Sequence, residues 1–401
     1  MSSTAQRAPS AYTAHRVKNL APSPTLAVSD RARQLKAQGI DVIDLGGGDP
    51  DFITPQHIRD AAIAAMNAGD THYVASEGVP ALRKAIAQKL RDDNGIEVDP
   101  MGGVIVTPGG KQALFEAALA FVEPGVDVLI PEPAWVSYGP MVELAGGTPI
   151  PVATSPDENW RITAEALAAA VTARSRILLI NSPNNPTGRV LDDDELATIA
   201  NFAREHDLLV FSDEMYEKIL YDGNTHTSIA TLPAMAERTL IFNGLSKAYA
   251  MTGWRLGYVA GPREYLKEIA KVHSHSVTCA TSFVQQAGVV ALTGPQEFIS
   301  EMVEAWDRRR TNLAAGLNAI NGIHCPLVEG AFYAFVDIRG TGMSSSEASD
   351  RFLQEAHVAV TPGVAFGTSG EGHVRLSFAT SDDLLEGAVE RLGKMLGAGA
   401  A

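Results

Sequence analysis

Seven short apolar runs between residues 104 and 261 constrain the fold more than any other feature of the chain. The runs are VIVT, VDVLIP, TPIPV, RILLIN, LLVFSD, TLIFNG and LGYVAG. Helical patterns such as KQALFEAALAFV and DDDELATIANFAREH lie between several of them. Strands that are almost continuously apolar are buried on both faces, as in a parallel sheet covered by helices. The sequence therefore predicts an α/β fold with a seven-stranded, mostly parallel sheet.

The length of 401 residues is too great for one simple core, so more than one domain is predicted. The segment rich in strands predicts a large domain over residues 50–290. Residues 25–49 and 291–401 combine helices with alternating apolar and polar runs, which indicates a smaller α+β domain. Residues 1–24 contain several prolines and are predicted to form an N-terminal tail.

Charge and cysteine content limit the partners that we expect. Lys and Arg total 32 and Asp and Glu total 47, which gives a net charge of −15. Such an acidic surface repels nucleic acid and anionic lipid, so neither is predicted as a partner. Cys279 and Cys325 offer no disulfide framework and no zinc spacing, which is typical of a cytoplasmic protein. The run Asp307–Arg310, in a predicted long helix, is expected to be a solvated face.

Polar residues and one glycine stand at or shortly after the ends of these strands, at the edge where open α/β sheets bind ligands. They are Gly110, Lys111, Asn185, Asp213, Tyr216, Ser246, Lys247 and Arg255. Each has an ordinary interpretation when taken alone, since Asn-Pro-Thr-Gly is commonly a turn and a strand-end Asp is commonly a cap. Their joint occurrence is what indicates a site.

Together these residues match the requirements of pyridoxal 5′-phosphate (PLP). This cofactor needs an amine for its aldehyde and an anion beside its pyridine nitrogen. It also needs donors to its ring oxygen, and a helix N-terminus with a cation for its phosphate. Lys247 and Asp213 can supply the amine and the anion, and a helix pattern begins directly after Gly110. No metal is predicted, because His273 and His275 lack the spacing of a helical metal pair.

Three segments carry a family resemblance. NSPNNPTG, SDEMYE and SKAYAMTGWRLGY, in this order, resemble the signatures of fold-type I aminotransferases of classes I and II. The chain is most similar to the bacterial aspartate aminotransferase subgroup, over about Pro24 to Thr380. The resemblance implies a PLP enzyme that moves the α-amino group of an L-amino acid to a 2-oxo acid by a ping-pong mechanism. The expected acceptor is 2-oxoglutarate or oxaloacetate.

The resemblance also implies roles for individual residues. Lys247 would bind the cofactor covalently and act as the base, with Asp213 and Tyr216 as the other catalytic residues. Asn185 and Tyr216 would bond the ring oxygen, and Trp135 would stack on the ring. The phosphate would be held by Gly110, Lys111, Ser246 and Arg255. Relatives often have a serine at the position of Gly244, so one phosphate contact is in doubt.

The resemblance also implies which residues bind the substrate and which residue contacts a second subunit. Arg375, in VRLSFAT, would bind the substrate carboxylate as a planar fork, assisted by Gly48, Trp135 and Asn185. Tyr73 would reach the phosphate of the neighbouring subunit, which implies a homodimer. The side chain of the accepted amino acid is left open, with Lys111, His273 and His275 as candidates for contacting it.

Other functions remain as alternatives. A carbon–sulfur lyase, a cyclopropane-forming synthase or an oxidase could be built on the same residues. A PLP-sensing transcriptional regulator would have a helix-turn-helix domain before the matching region, where only about 24 residues stand. A nucleotide-dependent dehydrogenase is disfavoured, because GGGDPDF is not the G-x-G-x-x-G pattern.

Overall fold

The computed structural model describes residues 12–18 and 20–397. The predicted tail over residues 1–24 lies partly outside the described residues. Within its described part the chain forms a short helix, and a longer helix begins at Pro24, near the end of that predicted tail.

The strands and helices alternate through most of the chain. The strands are β1 (Ile43–Asp44), β2 (Val104–Thr107), β3 (Asp127–Pro131), β4 (Thr148–Val152), β5 (Ser175–Asn181), β6 (Leu209–Asp213), β7 (Thr239–Gly244), β8 (Gly257–Ala260), β9 (Tyr333–Asp337), β10 (Val358–Ala359), β11 (Thr361–Pro362) and β12 (His373–Ser377). The helices are α1 (His15–Lys18), α2 (Pro24–Ala37), α3 (Gln56–Asn67), α4 (Pro80–Asn94), α5 (Gly110–Phe121), α6 (Tyr138–Ala145), α7 (Ala164–Ala170), α8 (Asp193–Glu205), α9 (Arg263–Ser276), α10 (Ser282–Thr293), α11 (Glu297–Asn318), α12 (Ser345–Glu355) and α13 (Asp382–Gly397).

The large sheet has seven strands in the order β2-β8-β7-β6-β5-β3-β4. Only β8 runs against its neighbours β2 and β7, and the other pairings are parallel. Alternate residues of β5 enter different cores, since Leu179 packs on one face of the sheet and Leu178 on the other. Burial on both faces explains the continuous apolar runs. The prediction of a mostly parallel seven-stranded sheet is therefore confirmed.

A second assembly is built from the remaining strands. β9, β11 and β12 form an antiparallel sheet in the order β11-β12-β9, and β1 pairs in parallel with β10. Helices α11 to α13 contribute to a core that contains the fully buried side chains of Trp306, Phe332 and Phe352. The division into domains at residues 50 and 290 stays a prediction.

One expectation about the surface was wrong. Within the run at residues 307–310, Arg309 and Arg310 are buried instead of lying on a solvated face. Arg310 donates to Asp222 at 2.9 Å, and Arg309 pairs with Asp51 at 2.9 Å. Because both carboxylates lie far away in the sequence, the charged run gave no indication of these partners.

None of the helices in the described part of the chain combines the length and the apolar character needed to cross a membrane.

Candidate active site

A cavity of about 390 Å³ opens at the carboxyl ends of β5, β6 and β7. Every site residue predicted from the sequence lines it except Tyr73. These lining residues are Gly48, Gly110, Lys111, Trp135, Asn185, Asp213, Tyr216, Ser246, Lys247, Arg255 and Arg375. Its size falls within the usual range for small-molecule sites. We name it the Lys247 cavity.

Lys247 follows β7, and its Nζ donates a hydrogen bond to the carbonyl oxygen of Gly48. The ammonium group also lies near two aromatic rings, 5.6 Å from the centroid of Phe332 and 6.0 Å from that of Tyr216. The predicted glycine-rich turn and the predicted lysine therefore meet across 199 positions of sequence.

Asp213 ends β6 as a buried carboxylate. Its Oδ2 accepts from the Tyr138 hydroxyl at 2.7 Å, and its Oδ1 accepts from the backbone N–H of Met215 at 3.2 Å. Burial raises the pKa of Asp213 to about 6, while the bond from Tyr138 acts in the opposite direction. The site thus holds a buried carboxylate that a cation would stabilise.

Tyr138 is a site residue that the sequence analysis did not identify. It stands at the start of α6, and burial and the Asp213 carboxylate raise its pKa, so its hydroxyl remains a donor. Trp135 packs edge-on against its ring, with the centroids 5.2 Å apart. Both residues stand in the segment WVSY, where the resemblance implies a role for the tryptophan alone.

The N-terminus of α5 forms a positively charged wall. Gly109 has a φ of +87°, and a Cβ there would lie 2.6 Å from Nη2 of Arg255. A Cβ on Gly110 would lie 2.5 Å from Cε of Met215. Burial lowers the pKa of Lys111, helped by the nearby charges of Arg255 and Lys247. Free N–H groups, two glycines and adjacent cations make this wall suited to an anion.

Gly244 leaves no room for a larger residue. A Cβ at this position would lie 2.9 Å from the carbonyl oxygen of Leu256 and 3.0 Å from Cα of Gly257. A serine could therefore be accommodated only if the backbone of β8 shifted. Ser246 lines the cavity in its place.

Arg375 lies on β12, where it is buried and lines the cavity. Its Nη1 donates to Oδ1 of Asn185 at 2.9 Å and its Nη2 donates to the carbonyl oxygen of Gly46 at 2.7 Å. The guanidinium lies 4.4 Å from the ring centroid of Tyr333 and 4.9 Å from that of Phe366. Burial lowers its pKa. A buried cation without a carboxylate partner in the described chain is suited to bind an external one.

Tyr333 is the second residue that the sequence analysis missed. Its hydroxyl lies 2.9 Å from that of Tyr216, and a Cβ on Gly48 would lie 2.4 Å from the same oxygen. Tyr333 thus connects three predicted site residues, since it also packs on Arg375. The segment AFYAFVDI gave no local signal for this role. From α2, Thr25 and Ser29 also reach the cavity wall.

Tyr73 and the two candidate histidines lie elsewhere. Tyr73 is 84% exposed and does not line the cavity of its own chain. His273 is fully buried and pairs with Glu116 at 2.8 Å, while His275 is exposed. Of the three candidates for a side-chain contact, only Lys111 lines the cavity of its own chain.

Comparisons with known proteins agree with this geometry. The family model for aminotransferases of class I and II matches residues 40–392. An aspartate aminotransferase of Musicola paradisiaca is 45% identical over 384 residues, 96% of either chain. An aromatic-amino-acid aminotransferase of Thermococcus litoralis is 42% identical, covering 92% of this chain and 98% of its own. The structure of Thermus thermophilus aspartate aminotransferase with maleate is 43% identical with a TM-score of 0.91, covering 96% of this chain and 99% of its own. The chain therefore belongs to the class I and II aminotransferase family and is an aminotransferase.

Proposed function

We propose that this aminotransferase binds PLP in the Lys247 cavity and moves the α-amino group of a dicarboxylic L-amino acid to a 2-oxo acid. One observation carries the proposal. The Nζ of Lys247, the buried Asp213 carboxylate, the N-terminus of α5 and the buried Arg375 guanidinium all line one cavity.

The residues present fit this cofactor. A Cβ on Gly109 or Gly110 would collide with Arg255 or Met215, so this wall requires glycine at both positions. Gly110 and Lys111 begin α5, and the first N–H groups of a helix have no partner in a preceding turn and can bind a phosphate. Arg255 and Ser246 complete the phosphate end, and Trp135 offers a ring face. Burial makes the charged form of Asp213 costly, and a cationic partner such as a pyridinium nitrogen would offset that cost.

When bound, PLP supplies an aldehyde that amines attack and a protonated ring that withdraws electrons from the substrate Cα. The chain supplies the remaining functions. Lys247 Nζ would hold the cofactor and, when free, would take the proton from the substrate Cα as general base. Asp213 would stabilise a charged ring nitrogen. Tyr216 and Asn185 would donate hydrogen bonds to the ring oxygen.

Arg375 orients the substrate. Two parallel charge-assisted hydrogen bonds from its fork would fix the α-carboxylate and hence the direction of the Cα–H bond. Asn185 and the carbonyl of Gly46 already hold the guanidinium in one orientation, at 2.9 Å and 2.7 Å. Little side-chain entropy is therefore lost when the substrate binds.

Lys111 supports the choice of a dicarboxylic substrate. Its backbone N–H belongs to the anion wall, whereas its Nζ lies 4.8 Å from the ring centroid of Trp135, inside the cavity. A second cation there would attract the side-chain carboxylate of aspartate or glutamate. Relatives named aspartate aminotransferase, and the Thermus structure solved with the dicarboxylate maleate, agree with this assignment. Oxaloacetate or 2-oxoglutarate is then the acceptor.

The proposed enzyme is a homodimer of the cytoplasm. The exposed Tyr73 side chain supports a partner that covers it and receives its hydroxyl at the phosphate. Cys279 and Cys325 are free thiols, as expected in a reducing compartment.

Borohydride reduction tests the cofactor assignment. The holoenzyme is reduced, digested and mapped by mass spectrometry, and the pyridoxyl group is expected on Lys247 alone. The matched control is Lys111, a second lysine of the same cavity. Modification of Lys111 or of another lysine, with Lys247 untouched, would contradict the proposal.

A further inference from the structure

Residues 70–79, which we name the Tyr73 arm, carry the exposed Tyr73 between two anchored ends. The hydroxyl of Ser282 donates to the carbonyl oxygen of Asp70 at 2.6 Å. Nε2 of His273 lies 3.0 Å from the carbonyl oxygen of Ser76. Both anchors belong to neighbouring helices, α10 and α9, so the arm is fixed on either side of Tyr73.

The His273 anchor is a buried pair formed by a histidine and a glutamate. Nδ1 of His273 lies 2.8 Å from Oε2 of Glu116, and both side chains are fully buried. The other oxygen of Glu116 accepts from the hydroxyl of Ser276 and from Nε2 of Gln112, the latter at 2.9 Å. A backbone carbonyl can only accept, so the ring nitrogen that faces Ser76 is the donor of that hydrogen bond. The other ring nitrogen binds the carboxyl group of Glu116, and His273 is therefore held at both ring nitrogens.

This pair connects two parts of the site. Glu116 lies on α5, whose N-terminus forms the anion wall of the same chain. The opposite edge of the His273 ring binds the Tyr73 arm, whose exposed tyrosine does not line that cavity. A buried pair of this kind holds its neighbours in place, because removing one partner leaves a buried polar atom of the other without its hydrogen bond.

We propose that His273 is a positioning residue for the active site of the partner subunit, where it fixes the Tyr73 arm so that Tyr73 holds the cofactor phosphate. This inference rests on the proposed homodimer and cofactor. His273 does not line the cavity of its own chain. In this role it affects how tightly the partner subunit retains its cofactor.

Mixed dimers separate an effect on the partner from an effect on the same chain. Two differently tagged chains are co-expressed and the heterodimer is purified over both tags. In the first hybrid, one chain carries Lys247→Ala and the other carries H273Q. In the second hybrid, one chain carries both substitutions and the other is unchanged. Each hybrid has a single Lys247, but only in the second does that lysine's site receive the arm of an H273Q chain.

The measurement is the rate of PLP release into a solution with excess apo-acceptor protein. We expect release about tenfold faster in the second hybrid than in the first, the size associated with losing one hydrogen bond. The first hybrid should match one that carries only Lys247→Ala. The exposed neighbour His275 provides the control substitution, and H275Q should leave both rates unchanged.

Two further measurements distinguish the proposed role of His273 from a folding defect and from a failure of the proposed function. S282A removes the other anchor, which involves no ionisable side chain. The corresponding S282A hybrids should show the same difference in PLP release between the second and the first arrangement. Hydrogen exchange of residues 70–79 in cofactor-free homodimers should be faster in H273Q than in H275Q. Faster exchange without faster release in the second hybrid would overturn the inference while leaving the proposed function intact. PLP release that is faster in the first hybrid than in the hybrid with Lys247→Ala alone would overturn the inference as well. Absence of heterodimers would contradict the proposed homodimer itself.

Discussion

Asp213→Asn should stabilise the cofactor-free enzyme at neutral pH. Burial raises the pKa of this carboxyl from 3.8 to about 6. The folded chain therefore keeps a proton that the unfolded chain releases between about pH 4 and 6. The stability contributed by this proton is present below pH 4 and lost as the pH rises through 6. The rise in pKa from 3.8 to about 6 corresponds to roughly 3 kcal/mol, which is the cost of burying the charged carboxylate at neutral pH.

Urea unfolding between pH 4 and 8, at one protein concentration, measures this cost. The free energy of unfolding of the cofactor-free D213N variant should exceed that of the unchanged enzyme by about 1–3 kcal/mol at pH 7.5, and the difference should vanish near pH 4. Asp222 is the matched control, because its hydrogen bond from Arg310 lowers its pKa, so D222N should be less stable at neutral pH. Equal or lower stability of D213N at pH 7.5 would refute the reasoning.

With cofactor bound, the same variant should lose several orders of magnitude in turnover, because a neutral amide cannot keep the pyridine ring charged. L-aspartate turnover under saturating PLP measures this loss, and near-normal turnover would remove Asp213 from the site.

Four further substitutions are tested in parallel. Lys247→Ala should abolish covalent cofactor attachment, measured by borohydride reduction, while the fold by circular dichroism is unchanged. Arg375→Lys should keep the cofactor spectrum but lower kcat/KM by at least about 10², or roughly 2.7 kcal/mol, for every amino acid tested, because all share the α-carboxylate; lower melting temperature with kcat/KM nearly unchanged would indicate a structural role instead. Tyr138→Phe removes a donor and should raise the pKa of Asp213 further, by about one unit in infrared difference spectra of cofactor-free enzyme. Lys111→Gln should lower kcat/KM for L-aspartate about tenfold more than for L-alanine, since only aspartate presents a second carboxylate; equal losses would reject the dicarboxylate assignment.

The sheet was predictable because its strands are buried on both faces. Each predicted apolar run lies within one residue of an observed strand, as with VIVT at residues 104–107 and RILLIN beside β5. The order of the strands was not predictable in the same way. Only the backbone pairing shows that β8 runs between β2 and β7 against both.

The strand-end residues were predictable, but their partners were not. Asp213 could be identified at the end of an apolar run, whereas Tyr138 reaches it from 75 positions away and Tyr333 reaches Tyr216 from 117 positions away. Such contacts leave no local pattern. The same reason explains the wrong expectation for Arg310, whose partner Asp222 is 88 positions distant.

The most direct test of the central claim is a half-reaction without acceptor. Enzyme loaded with PLP is mixed with L-aspartate alone, and the released 2-oxo acid, the released ammonia and the form of the cofactor are quantified. A transaminase of the proposed mechanism gives one oxaloacetate per active site, no ammonia, and complete conversion of the cofactor to pyridoxamine phosphate, which 2-oxoglutarate then reverses. Repeated turnover with release of ammonia and no pyridoxamine phosphate would show a lyase or oxidase chemistry and would contradict the account.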